Sequence, residues 1–132
     1  MKIEIQEHWY SIEECDKNPN KLYVFGDNCI RKGTAGQAVI RHCGNSIGIA
    51  TKRLPSTTDD SYFSDTNVDD VDTVIDDILL LMKTSRNGLF DTIVFPKDGL
   101  GTGLAKMDKK APKLFNTMNE LISSHFKIKY II

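Results

Sequence analysis

The 132-residue chain predicts an α/β fold of three layers, with a largely parallel or mixed central sheet between helices. Three observations carry this. Short apolar runs alternate with helical patterns in the order β-α-β-α-β-α-β-α-β. The run Ile93-Val94-Phe95 is apolar throughout, as in a strand covered on both faces. Two of the apolar runs empty into glycine-rich loops, which is where the ligands of parallel sheets sit.

The elements follow in order. Lys2–Gln6 reads as a first strand. Ser11-Ile12-Glu13-Glu14 has the Ser-x-x-Glu spacing of a capping box and starts a short helix, which Asn18-Pro19-Asn20 ends. Lys21–Phe25 is a second strand, Gln37–His42 a short helix stopped near Gly44, and Ser46–Thr51 a third strand. Val68, Val71, Val74, Ile75, Ile78, Leu79 and Met82 recur at three and four residues and predict a long amphipathic helix. Acids crowd its N-terminus, where the helix dipole favours them. Asp91–Phe95 is a fourth strand. Asp108 is placed to cap a last helix with Pro112 in its first turn and Ala111, Leu114, Phe115, Met118, Leu121 and Ile122 on its apolar face. Lys127–Ile132 is expected to close the sheet.

This length supports one domain with one core, and neither repeats nor a linker divides it. The composition, 40% hydrophobic and 27% charged, is ordinary for a globular protein. No apolar run approaches the roughly 18 residues that span a bilayer, so no membrane partner is expected. The alternating, acid-bearing N-terminus does not read as a signal peptide. Cys15, Cys29 and Cys43 are odd in number and widely spaced, which suits reduced thiols and a cytoplasmic setting. A net charge of −1 gives no nucleic-acid footprint. Eight aspartates and no Lys or Arg lie between Asp59 and Asp77, whereas seven lysines face three acids from Lys97 onward. Each run reads first as a solvated face.

The chemistry concentrates in the two loops. One is Gly26-Asp27-Asn28 continuing to Gly33-Thr34-Ala35-Gly36-Gln37; the other is Pro96-Lys97-Asp98-Gly99-Leu100-Gly101-Thr102-Gly103. Glycines between a buried strand and a helix present backbone N–H groups that bind anions such as phosphate. Two such loops in so short a chain point to a diphosphate held between them, and hence to a nucleotide-derived ligand. The phosphate-loop and dinucleotide fingerprints are absent. Zinc spacing and a Gly-x-Ser-x-Gly elbow are absent too, so neither metal nor cofactor is called for.

Together these residues resemble a macro domain, the fold that binds ADP-ribose and related nucleotides. Asn28 at a strand end, Gly33 and Gly36 with Ala38, and Phe95-Pro96-Lys97-Asp98-Gly99-Leu100-Gly101 are the matching features, covering about Lys21 to Phe126. The resemblance implies that Gly99, Gly101, Thr102 and Gly103 hold the diphosphate and that Gly33 to Gly36 meet the distal ribose. It implies ribose hydroxyls on Asn28 and Gln37, the adenine amino group on Asp27, and a base stacked on Tyr62 or Phe63.

The closest likeness is to the branch that removes ADP-ribose from glutamate with a lysine. The Thr51-Lys52-Arg53 run matches its strand motif and marks Lys52 as candidate nucleophile, able to attack C1 of the opened distal ribose once deprotonated by partial burial or a neighbouring cation such as Arg53. That branch carries an acid after the glycine loop, where this chain has Ala105; Asp98 or Asp27 is the available substitute. The implied partner is an ADP-ribose-like small molecule or an ADP-ribosylated macromolecule. Two alternatives stay open: a non-catalytic module that sequesters the nucleotide, and a protein that binds a partner through its acidic helix.

Overall fold

The computed structural model of the chain describes residues 1–128. Four strands, β1 (Lys2–Ile5), β2 (Lys21–Asn28), β3 (Ser46–Lys52) and β4 (Thr92–Phe95), form one sheet in the order β1-β4-β2-β3, and every pairing is parallel. The helices are α1 (Ile12–Lys17), α2 (Val68–Ser85), α3 (Met107–Lys110) and α4 (Pro112–Phe126), with 3-10 turns at Gly36–Ile40, Asp59–Ser61 and Gly103–Ala105. The expected α/β class holds. The closing strand expected over Lys127–Ile132 lies outside the described residues, except for Lys127, which ends α4 in the left-handed conformation, and Ile128.

Side chains alternate across a strand, and that alternation divides the core in two. Leu22, Val24, Ile93 and Phe95 pack with Val74, Ile78 and Leu81 of α2 and Leu114, Met118 and Ile122 of α4. Tyr23, Phe25 and Val94 turn the other way, onto Tyr10, Cys15, Ala38 and Ile40. The Tyr10 hydroxyl donates to the Val24 carbonyl at 2.7 Å, and its ring meets Tyr23 edge-on. Helical segments therefore cover both faces, which is why β4 is buried along its whole length.

Several boundaries differ from the sequence expectation for identifiable reasons. The second strand runs on through Gly26, Asp27 and Asn28, which stay paired to β3 with a register slip between Asp27 and Asn28. The short helix expected at Gln37–His42 is a 3-10 turn opened by Gly36 at φ +59°, too brief to settle into α geometry. On α2 the buried stripe is Val74, Ile78 and Leu81, while Val68 and Leu79 are exposed. Leu121 is likewise at the rim of the α4 face.

The cap of α4 is also not the expected one. Asp108 falls in the first turn of α3, and the carboxylate of Asp65 accepts from the Lys113 and Leu114 N–H groups at 3.2 and 2.9 Å. That acid is 48 residues upstream, beyond the reach of any local motif. The acidic run is not one solvated face either. Asp70 and Asp77 turn inward, to Arg53 and Arg31, and leave Asp69, Asp72 and Asp76 outside. Among the described residues no helix is long and apolar enough to cross a membrane.

A candidate nucleotide cleft at the strand C-termini

The carboxyl ends of β2, β3 and β4 open into a cleft of about 410 Å³. Its size suits a small-molecule ligand. Of the residues singled out by sequence, Asp27, Asn28, Gly33, Gly36, Gln37, Lys52, Asp98, Gly101, Thr102 and Gly103 line it, whereas Gly99, Arg53, Tyr62 and Phe63 do not. Gly99 sits behind the wall, buried, with its N–H donating to the Pro96 carbonyl in a turn.

Gln37 joins the two loops. Its Oε1 accepts from the Gly26 N–H at 2.8 Å and its Nε2 donates to the Gly99 carbonyl at 3.0 Å. A side chain on Gly26 would crowd that oxygen, which explains the glycine at the end of a central strand. Asn28 is spent in the same way: Oδ1 accepts from the Ile30 N–H, and Nδ2 donates to the Lys32 carbonyl. Both amides hold loop shape before they meet any ligand.

Asp27 does not offer an open carboxylate for an adenine amino group. It is buried, with Oδ1 2.5 Å from Arg41 Nη2 and accepting from the Asn28 N–H at 2.7 Å, while Oδ2 is 3.5 Å from Arg31 Nη1. Arg41 also donates from Nε to the Gly33 carbonyl at 2.7 Å. One buried acid thus fastens the first glycine loop to the sheet. Gly48, beside it on β3, leaves the room this needs, since a Cβ there would lie 2.5 Å from Asp27 Oδ2. Neither arginine was singled out in the sequence: Arg41 is 14 residues from Asp27, and Arg31, only four away, pairs through a loop whose path no motif fixes.

The second loop is built on left-handed glycines: Gly99, Gly101 and Gly103 have φ of +86°, +84° and +64°, a region that penalises any Cβ. At Gly101 a Cβ would also strike Met107. The N–H groups of Gly101, Thr102 and Gly103 take no intramolecular acceptor among the described residues, and neither do those of Gly33, Thr34 and Ala35. Two sets of unspent donors therefore flank one cleft.

Lys52, at the end of β3, is buried to 8% exposure and donates from Nζ to the Ser56 carbonyl at 2.7 Å. Its ammonium lies 4.8 Å from the centre of the Tyr62 ring. Burial holds this amine below the ordinary lysine value, and the Lys106 ammonium adds to the fall. Arg53 is not the neighbouring cation that does this: Asp70 grips it through two bonds of 2.8 and 2.6 Å. Asp98 is exposed at the cleft wall, and its carbonyl accepts from the Thr102 hydroxyl at 3.0 Å.

The aromatic expectation changes as well. Phe63 is in the core and Tyr62 is buried beneath lysines, so neither ring is open to a base. The ring that lines the cleft is Trp9, 67% exposed, with Lys97 Nζ 5.5 Å from its centre. A lone tryptophan between the first strand and first helix carried no signal of this placement.

No curated protein and no solved structure matches the chain. A family model described as a family of unknown function (DUF7831) matches residues 5–121. The chain belongs to that family.

Proposed function

We propose that the cleft binds an ADP-ribose-type nucleotide, free or attached to a macromolecule, and that Lys52 cleaves an ADP-ribosyl bond in it. The observation that carries this reading is that two loops with unspent backbone donors line one cleft, whose wall also holds an amine with no acid partner. The diphosphate rests on Gly101, Thr102 and Gly103, where N–H groups replace its water. The distal ribose lies against Gly33 to Gly36, and Trp9 offers the base an exposed face.

Hydrolysis then needs an amine and an acid–base group. Neutral Lys52 attacks C1 of the opened ribose, more readily than an ordinary lysine because it is partly buried. The bond from C1 to the acceptor oxygen breaks, the acceptor carboxylate leaves, and water then cleaves the C1–N bond to release ADP-ribose. Of the carboxylates lining the cleft, Asp27 is held by two arginines and Asp98 is the one open to it. Asp98 is accordingly assigned the proton transfers, a role worth about 10²–10⁴-fold in rate.

Thermal unfolding with ADP-ribose and with AMP tests binding. ADP-ribose at a hundredfold excess over Kd should stabilise the fold by about 2.7 kcal/mol, and AMP by much less. Release of ADP-ribose from a modified glutamate peptide should then vanish in Lys52→Ala while binding remains. A second reading has support in Ala105, which lines the cleft where the hydrolytic branch carries its acid. In that reading the protein sequesters the nucleotide, and the wild type shows stabilisation without turnover.

A further inference from the structure

Three lysines gather on a single ring. The ammonium groups of Lys52, Lys110 and Lys106 lie 4.8, 5.3 and 5.9 Å from the centre of the buried Tyr62 ring. Among the described residues no carboxylate is in ion-pair range of any of them. Lys106 directly precedes α3 and Lys110 ends it, with the Lys110 N–H donating to the Lys106 carbonyl at 2.8 Å. Like charges at that spacing destabilise a helix. Lys106 also adopts a left-handed backbone, φ +47°, that glycine or asparagine would occupy at less cost. Both penalties fall on a side chain whose ammonium, among the described residues, lies over the Tyr62 ring and pairs with no carboxylate.

We propose that Lys106 is a positioning residue for Lys52: its charge, brought to the shared Tyr62 ring, keeps the Lys52 amine available to trap a carbonyl carbon. The inference rests on the reading of Lys52 as an amine nucleophile, with the proton transfers left to Asp98. The groups facing Lys52 are these. From its own loop come the Ser56 carbonyl and Tyr62, and from α3 and the residue before it come Lys110 and Lys106. Lys32, Asp98 and the arginine-bound Asp27 line the same cleft. Arg53 next in sequence is neutralised by Asp70.

The chemistry is that of imine formation. The neutral Nζ adds its lone pair to the aldehyde carbon, the C=O π pair moves to oxygen, and the nitrogen gives up one proton as the oxygen takes one. The carbinolamine then loses water to give the imine. The buried Tyr62 face meanwhile holds the ammonium groups of Lys106 and Lys110 without a carboxylate, so no anion beside the cluster keeps Lys52 charged.

Formaldehyde with sodium cyanoborohydride is the probe, read by peptide mass spectrometry of the whole chain between pH 6 and 10 with no nucleotide present. Hydride from the cyanoborohydride reduces the imine carbon, and water protonates the nitrogen, leaving methylated lysine. Lys52 should methylate ahead of the exposed lysines at pH 7.5. In Lys106→Gln its rate there should fall on the order of threefold, with its pH profile displaced upward. Lys106→Arg, which keeps the charge, should restore it, and circular dichroism verifies the fold of each variant. An unchanged rate in Lys106→Gln, or an equal loss in Lys106→Arg, overturns the inference. Labelling needs no ADP-ribose, so a chain that ignores the nucleotide and still behaves this way removes the proposed ligand alone.

Discussion

Replacing Gly48 by alanine tests whether Asp27 is a fixed strut. The new Cβ would lie 2.5, 2.9 and 3.0 Å from Oδ2, Cβ and Cγ of Asp27, all closer than carbon tolerates. Asp27 cannot swing away freely, because Arg41 and the Asn28 N–H hold Oδ1 at 2.5 and 2.7 Å. If β2 and β3 part to make room, the cost is that of overpacking, about 1–3 kcal/mol. If Asp27 rotates out, Arg41, itself 90% buried along its side chain, loses its partner, at about 3–5 kcal/mol. The cheaper route sets the expected loss, about 1–3 kcal/mol, at roughly 3–5 °C of Tm per kcal/mol for a chain of this size. Urea denaturation of the wild type, Gly48→Ala, Asp27→Ala and the double variant measures it. The double variant should cost less than the two singles together by about 1–3 kcal/mol, since the contacts with Oδ2 and Cγ go with the carboxylate and only the one with Cβ remains. A Gly48→Ala chain within about 0.5 kcal/mol of wild type, or strict additivity, would show that Asp27 is not packed and paired as described.

Other outcomes follow from the same contacts. Gln37→Ala releases the Gly26 N–H and the Gly99 carbonyl together, and should cost about 1–3 kcal/mol by denaturation and loosen both loops in amide exchange. Asp65→Ala removes the cap of α4 and should lower stability by about 0.5–2 kcal/mol, while Asp108→Ala, outside that cap, should change it far less. Burial and the nearby Cys43 push the Cys15 thiol from 9.0 up to about 12. The folded chain therefore binds more protons than the unfolded one between those values, and under reducing conditions this group's contribution to stability should be lost as pH rises through them. Urea midpoints at pH 8 and pH 10.5 should fall in that order, and less steeply in Cys15→Ala.

The sheet was legible because parallel strands buried on both faces are plain apolar runs, as at Leu22–Phe25 and Ile93–Phe95. The second loop was legible because only glycine sits easily at the positive φ of positions 99, 101 and 103. What escaped the sequence acts across long separations. Arg41 reaches Asp27, Asp65 reaches the start of α4, and Asp77 accepts from the Ala50 N–H at 2.7 Å. An aspartate-rich run looks the same whether its members face water or an arginine, and packing alone separates Asp70 from Asp69. The lysine cluster was hidden for a similar reason. Positions 106 and 110 belong to a basic stretch in the sequence, and only the fold brings them over Tyr62 beside Lys52.

The two loops are read here as the two jaws of one anion site. Amide NMR of the ¹⁵N-labelled chain, titrated with ADP-ribose, addresses that site residue by residue. Saturable shifts should appear together at Gly101, Thr102 and Gly103 and at Gly33, Thr34 and Ala35, with one shared Kd, and remain small on α2. Shifts confined to one loop, or none in a folded chain, would contradict a diphosphate held between them.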